Sequence, residues 1–318
     1  MNRRDLLAAC AGTAMAGAAW AQGTYPTRPI TLICPWPPGG GADVQLRMLA
    51  KLMSAQLGQN VVVENRPGAT GSLGAVALMQ AKPDGYTLAQ SHNGVLRQPF
   101  IAPTPYDPLK DFTYIIGVSD NPFGLVVRED REWKTLEQFI EHARRNPGKV
   151  NIGVPGRGSP GHLVSDQIAS QFDLKWTVVP YRGTANTMQA LLAGEIDAAA
   201  ESTGWVPFVE GNKARLLAVF SRQRFKKFPN VPTLVEQKIQ AWDYSPWGIV
   251  APAGLDPAIA TRLHDAIRRV MDNPEFVNLL ATLAQEPLYM SPQRYLEYVR
   301  EAMPQQKVIV EKYNLKAT

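Results

Sequence analysis

The sequence predicts an α/β protein of two lobes, each a mixed, mostly parallel sheet flanked by helices. Three features carry that expectation. Short apolar runs alternate with amphipathic stretches along most of the chain, which is the rhythm of βα units. The alternation falls into two similar halves, with a break near Asn121-Pro122. From Asp256 onward the pattern is helical and brings no sheet of its own, so the chain returns to cover the first half. Two lobes joined by two crossings leave a cleft between them. At 318 residues, 45% of them hydrophobic, the chain can bury more than one core.

Residues 1–21 read as an export signal. Arg3 and Arg4 form a positive end, an Ala-rich apolar stretch follows from Leu6 to Ala19, and Ala19-Trp20-Ala21 gives a small-x-small cleavage pattern. The apolar stretch is too short to span a bilayer. Arg3-Arg4-Asp5-Leu6-Leu7 is a partial match to twin-arginine export. Leu7-Ala8-Ala9-Cys10 resembles a lipobox, but it would leave almost no apolar region ahead of Cys10. Cleavage after Ala21 leaves Cys34 as the sole thiol, in a product expected to be soluble and periplasmic.

Lobe one is expected to hold residues 22–122 and 246–318. Ile30–Cys34 reads as a strand ending in Pro35-Trp36-Pro37-Pro38-Gly39-Gly40-Gly41. A helix follows with Val44, Met48, Leu49, Leu52, Met53 and Leu57 on one face and Gly58 as its stop. Val61–Val63 and Tyr86–Ala89 read as strands, with a helix from about Ser72 to Ala81 between them.

Lobe two is expected over residues 123–245. Leu125–Val127 reads as a strand, and Thr135 with Gln138 forms a capping box for the next helix. Val150–Val154 follows as a strand, then a glycine loop and a helix carrying Leu163, Val164, Ile168 and Phe172. Thr177–Tyr181, the helix Thr184–Ala193 stopped by Gly194, Ile196–Ala200 and Leu216–Phe220 complete this half. The strand Gly248–Val250 returns the chain, and Asp256-Pro257 starts a helix with Ile259, Leu263, Ile267 and Val270 on one face.

Two loops could carry chemistry. Trp36 to Asp43 sits where a strand meets a helix N-terminus, where free N–H groups and the helix dipole favour an anion. It reads either as a carboxylate or phosphate cradle, with Asp43 fixing the loop, or as an ordinary βα turn. It is not a nucleotide P-loop, because no Gly-Lys-Ser/Thr follows. Gly153 to His162 is its counterpart. Ser159 suits the N-cap and Pro160 the first helical position, leaving the Gly161 and His162 amides as donors. Gly156, Gly158 and Gly161 also match the spacing of a dinucleotide fingerprint, but the next predicted strand ends without an acid to hold a ribose. His162 reads either as a donor to an anion or as a polar residue of the first turn.

Other chemistries find no footing. A formal charge of +5 without basic blocks argues against a nucleic-acid partner. Two cysteines exclude a disulfide scaffold and a cysteine-based zinc site. The histidines His92, His142, His162 and His264 lack metal-ligand spacing, and no Gly-x-Ser-x-Gly elbow occurs. No catalytic set, metal or cofactor is expected. Binding alone suffices, since a micromolar ligand needs about 8 kcal/mol and charge-assisted hydrogen bonds contribute roughly 1.5–3 kcal/mol each.

Several segments resemble one family. Pro26-Thr27-Arg28-Pro29-Ile30, the Pro-Pro-Gly-Gly-Gly-Ala-Asp loop and Val63-Glu64-Asn65-Arg66-Pro67-Gly68-Ala69 are similar to Bug-type extracytoplasmic solute receptors of tripartite tricarboxylate transporters. So are Pro83 to Leu88, Tyr106 to Phe112, Pro180-Tyr181-Arg182-Gly183, Val231 to Glu236 and Ala251 to Gly254. The resemblance implies a type II periplasmic binding protein, monomeric, that closes on a small organic anion and presents it to membrane permease subunits. The anion class is a mono-, di- or tricarboxylate, an amino acid or an aromatic acid. The implied ligand residues are Trp36, Gly39, Gly40, Asp43, Ser91 and Asn93 in lobe one. In lobe two they are Gly158, Ser159, His162, Thr184, Ala185 and Asp197. Two positions depart from the family pattern. Arg97 reads as a cation at the cleft or a solvated side chain, and Glu201 as a partner for a ligand amine or an exposed acid. Two other functions share parts of this pattern: an exported enzyme using the Gly156-Gly158-Gly161 loop, and a sensory receptor with the same binding fold.

Overall fold

The structure, a computed structural model, describes residues 25–242 and 245–316. The predicted export segment, residues 1–21, lies outside the described residues. The strands form two mixed sheets. The first contains β1 (Ile30–Cys34), β2 (Val61–Asn65), β3 (Thr87–Ser91) and β4 (Phe112–Ser119). The second contains β5 (Phe123–Arg128), β6 (Asn151–Val154), β7 (Thr177–Pro180), β8 (Ala198–Ser202) and β9 (Ala214–Val219), in the order β7-β6-β8-β5-β9. The chain then returns to the first sheet with β10 (Trp247–Pro252) and β11 (Pro287–Met290), giving the order β11-β4-β10-β3-β1-β2.

Strands joined through helices within a lobe run parallel: β1 with β2 and β3, β6 with β7 and β8. The strands that enter each sheet after a crossing reverse this pattern. β5 is antiparallel to β8 and β9, and β10 to β3 and β4. Each is the first strand after a crossing. The parallel strands end at the crevice between the sheets, so a chain that has just crossed starts there and must run away from it. β11, antiparallel to β4, is a strand in a stretch whose sequence reads as helix alone.

The helices around the first sheet are α1 (Gly41–Leu57), α2 (Ser72–Met79) and α3 (Asn93–Ile101). Around the second lie α4 (Leu136–Arg145), α5 (Pro160–Phe172), α6 (Thr184–Ala193) and α7 (Val206–Glu210). The terminal α8 (Pro257–Met271), α9 (Pro274–Thr282) and α10 (Pro292–Lys312) pack back on the first sheet. β1 shows why the central strands are continuous apolar runs. Ile30 and Leu32 enter one core with Leu49, Met53 and Ile267, while Ile33 enters the opposite core with Leu78, Tyr295 and Val299. Lobe two repeats this: Leu125 and Val127 face Ile152 and Ile168, and Val126 faces Met188, Leu191 and Trp205. On α1 the buried face is Leu46, Leu49, Leu52, Met53 and Leu57, whereas Val44 points to solvent.

Helix starts divide into two kinds. Side chains accept from the first-turn amides at His92 of α3, Thr135 of α4, Ser159 of α5, Asp256 of α8, Asn273 of α9 and Ser291 of α10. The expected box at Thr135 is present: Gln138 N–H donates to Thr135 Oγ1 at 3.2 Å, and the Gln138 side chain reaches back to the Lys134 amide. α1, α2 and α6 start instead on Gly40, Gly71 and Gly183, and α7 follows Trp205, all with no side-chain cap.

Candidate functional site

Of these, the starts of α1 and α6 meet across the crevice. A cavity of about 30 Å³ lies between them. Trp36, Pro37, Gly40, Gly41 and Ala42 line it from the first lobe, and Thr184, Ala185 and Ser202 from the second. Asn121, Phe123 and Trp247, at the two crossings, close its floor. An outer groove of about 200 Å³ shares Trp36, Pro37 and Pro155 with it and runs between the Pro67–Gly71 loop and Pro155–Arg157. Among the residues lining these two spaces, the charged ones are Arg157 and Arg182, both exposed.

Local chemistry explains the open ends. In α1 the first backbone acceptor contact is Val44 N–H to Gly40 O at 3.1 Å, so the Gly41, Ala42 and Asp43 amides have no partner within the helix. In α6 the corresponding contact is Thr187 N–H to Gly183 O at 3.3 Å, leaving Thr184, Ala185 and Asn186 in the same position. Each helix end carries roughly half a positive charge, and the two are aimed at one space. Gly183 is required twice over. Its φ of +101° suits glycine alone, and a Cβ there would lie 2.9 Å from Pro37 Cδ of the other lobe.

Asp43 holds the first loop in place. Its carboxylate accepts from the Gly39 amide at 3.0 Å, Asn65 Nδ2 at 2.8 Å and Arg47 Nε at 3.0 Å. Burial opposes its charge, but the hydrogen bonds from Arg47, Asn65 and Gly39 together outweigh burial and hold the carboxyl below its usual range.

Buried polar atoms without partners gather around the cavity. Trp36 Nε1 and Asn121 Oδ1 belong to lining residues. Thr203 Oγ1 stands 3.6 Å from where a Cβ on Gly41 would be, and Glu201 Oε1 is directly behind Thr184. Orphaned buried donors and acceptors are costly, and Trp36 Nε1 and Asn121 Oδ1 can meet polar atoms of a ligand.

The structure sorts the expected residues. Trp36, Gly40, Thr184 and Ala185 line the cavity, with Gly39 and Asp43 beside it in the same loop. Ser91, Asn93, Gly158, Ser159, His162 and Asp197 do not line it. Ser91 is buried, with its carbonyl accepting from Tyr295 Oη. Asn93 Oδ1 accepts from Tyr298 Oη at 2.6 Å, toward the terminal helix. Asp197 lies at the opposite end of its strand, bound to Arg131 and the Asn151 amide.

The second glycine loop is held by contacts of its own. Ser159 is fully buried and its hydroxyl accepts from the His162 amide at 3.3 Å, while a Cβ on Gly161 would run into the Ala200 carbonyl. The start of α5 is buried in this arrangement and does not line the cavity. His162 Nδ1 accepts from the Gly158 amide at 2.9 Å, and burial, aided by Arg157 and Arg97, holds its pKa down to about 4. Its imidazole is neutral and fixes the loop.

Arg97 is neither solvated nor at the cavity. It is 1% exposed, donates through Nε to Gln306 Oε1 at 2.7 Å, and donates through Nη1 to the Gly158 carbonyl of the other lobe. With Thr70 Oγ1 donating to the Arg157 carbonyl at 2.8 Å, and with Ile101, Leu163, Val310 and Leu315 packed together, it ties the lobes shut. Glu201, read as an exposed acid or an amine partner, is completely buried.

Sequence reasoning passed over Asn121, Phe123, Ser202 and Trp247. The first, second and last come from the crossings, where no motif marks a lining residue. Thr184 and Ala185, at the second helix end, are among the residues the family resemblance implies.

Comparison with known proteins places this architecture. The family model for the tripartite tricarboxylate transporter family receptor matches residues 45–315. A Cupriavidus necator relative, the UPF0065 protein in the gbd 5' region, is 42% identical over 291 residues, covering 92% of this chain and 89% of its own. The structure of the periplasmic binding protein BugD superposes with a TM-score of 0.87 at 27% identity, covering 92% of this chain and 100% of BugD. Rhodopseudomonas palustris Rpa4515 with adipate also gives 0.87 at 27% identity, covering 91% and 98%. The chain belongs to the tripartite tricarboxylate transporter receptor family, as a Bug-type member with the two-lobed fold of periplasmic binding proteins.

Proposed function

We propose that this chain is an exported solute receptor that captures a small organic carboxylate between the N-termini of α1 and α6 and delivers it to permease subunits of a tripartite tricarboxylate transporter. The observation that carries the reading is the pair of glycine-started, uncapped helices aimed at one cavity. The adipate bound by a relative of the same fold supports the ligand class, and family membership supports the transporter partnership. An export signal at residues 1–21 supports periplasmic residence. The cavity holds about two waters at its present size, so the lobes part to admit a ligand of several carbons and close on it through Arg97, Thr70 and Gly183.

The test is calorimetric and thermal titration of the chain from Gln22, refolded to strip carried-over ligand. The panel is acetate, benzoate, aspartate, malate, adipate and citrate. Saturable stabilisation by at least one member is expected, amounting to about 2.7 kcal/mol at a hundredfold excess over Kd. A flat response to the whole panel overturns the reading.

A further inference from the structure

Behind the lobe-two wall lies a carboxyl group that the helix ends do not account for. Glu201 Oε2 lies 2.7 Å from Thr184 Oγ1 and accepts from the Ser202 amide at 3.2 Å. Thr184 Oγ1 lies 3.0 Å from Ser202 Oγ, and Thr184 and Ser202 both line the cavity. Three side-chain oxygens therefore form one chain from a fully buried carboxyl to the ligand space. The Thr187 hydroxyl, which donates to the Gly183 carbonyl at 3.2 Å, also stands against this carboxyl.

We infer that Glu201 is kept as the neutral acid and, through Thr184, turns the Ser202 hydroxyl into a donor facing the cleft, so that capture of an anion depends on the proton Glu201 holds. This rests on the carboxylate reading of the cleft and adds a specificity-determining residue to it.

Proton counting gives the direction. A chain of three oxygens has two internal links, and each link takes one proton. The neutral acid supplies three protons, one each on Glu201, Thr184 and Ser202. Two make the links, and the third, on Ser202, points at the ligand. The carboxylate form supplies two. Both links then run toward Glu201, and Ser202 presents lone pairs that repel a ligand carboxylate. The acid proton belongs on Oε2, where Thr184 offers an acceptor at ordinary O–H···O distance.

The surroundings favour the acid. Helix α6 and strand β6, which pack against β8, carry no ionisable side chain. β5 carries Arg128, which is at the far end of the strand and bound to Asp130. α5 carries His162 and Asp166, which face each other at 3.4 Å. A carboxylate buried without a counter-ion is strongly disfavoured. Burial accordingly outweighs the hydrogen bonds from Thr187, Thr184 and the Ser202 amide, and the Glu201 pKa is pushed up to about 8.

The test measures affinity for the same six carboxylates at about pH 7 and about pH 9.5, on either side of that value. Wild-type affinity is expected to fall about ten- to a hundredfold with rising pH, the loss of one charge-assisted hydrogen bond, with proton uptake on binding at the alkaline end. Glu201→Gln keeps a donor toward Thr184 at every pH, so it should hold the acid-form affinity throughout. Ser202→Ala should bind weakly and equally at both values. Saturable wild-type binding that ignores pH, or a Glu201→Gln variant that keeps the wild-type slope, overturns this inference and leaves the carboxylate reading intact. Failure of the wild type to bind any of the six at either pH overturns both. Infrared spectra of the wild type give a reading that needs no variant. A protonated-carboxyl band at about pH 7 that disappears by about pH 9.5 supports the inference, and its absence at about pH 7 overturns it.

Discussion

The second lobe starts two helices near the crevice, and they differ in one respect that decides their use. α5 opens with Ser159-Pro160-Gly161, the better helix start, and its serine consumes the amide of His162. α6 opens with Gly183, a poorer start, and its first amides stay free for the cavity. The same N–H groups cannot both be capped and bind a ligand. The cost of leaving them uncapped with glycine is small, a few tenths of a kcal/mol against serine or aspartate. The partial charge kept available, about half a unit per helix, is worth about 0.3–1 kcal/mol to an anion and up to ~2 kcal/mol where partly buried. The first lobe makes the same choice at Gly40, so the site is the meeting of two deliberately poor helix starts.

Substitutions can break that comparison, beginning with the largest effect. Gly183→Val places a side chain at φ +101° and against Pro37. It should abolish carboxylate binding in calorimetry and cost about 1–3 kcal/mol of stability by denaturant titration. Retained affinity would show that α6 does not approach the ligand.

The carboxyl behind α6 gives a pH test. The folded state keeps a proton on Glu201 up to about pH 8, whereas its ordinary value is 4.5. Between those values the folded state binds more protons than the unfolded one, so stability falls as pH rises through this window. The difference between wild type and Glu201→Gln, compared at about pH 5 and about pH 8, should reach on the order of a few kcal/mol. The comparison isolates Glu201 from Asp120 and Asp166, whose buried carboxyls are pushed up to about 6.

Gly40→Asp would convert α1 to the capped kind. Gly40 has extended backbone, φ −79° and ψ 165°, and a Cβ there meets nothing nearer than Pro37 O at 4.0 Å. Stability should rise by a few tenths of a kcal/mol, while carboxylate affinity should drop about tenfold or more as the new side chain takes the amides and adds repulsion. The reciprocal control has the smallest effect on binding. Ser159→Ala should lower stability by about 0.5–2 kcal/mol and leave the calorimetric affinity unchanged. A parallel loss of affinity would bring α5 back into the site.

Much of the fold was legible because its signals are local. Strand Ile30–Cys34, the stop at Gly58 and the full span of α6 with Gly194 behind it follow from periodicity and glycine chemistry within a few residues. β4 was not read: its run Phe112–Ser119 is apolar on both faces, where alternation carries no signal. β11 has only four residues within a stretch that reads as helix, and α3 contains Pro99, so neither is marked from within. The site was legible in parts: Thr184 and Ala185 through the family resemblance, the first loop from its own residues. The Trp36–Asp43 loop combines glycines, a helix start and a loop-fixing acid in one stretch, whereas the Asn121, Phe123 and Trp247 floor is assembled from two separate crossings.

The sequence by itself determined the two-lobed α/β architecture and the chemistry of the first loop, because helix starts, strand periodicity and family motifs are properties of neighbouring residues. Tertiary structure alone decided which lobe-two helix faces the cleft, that Arg97 fastens the lobes, and that Glu201 is a buried acid. Burial and facing depend on what other segments lay across a residue. For Glu201 those segments are β5, β6 and α6, and no pattern around position 201 records their arrival.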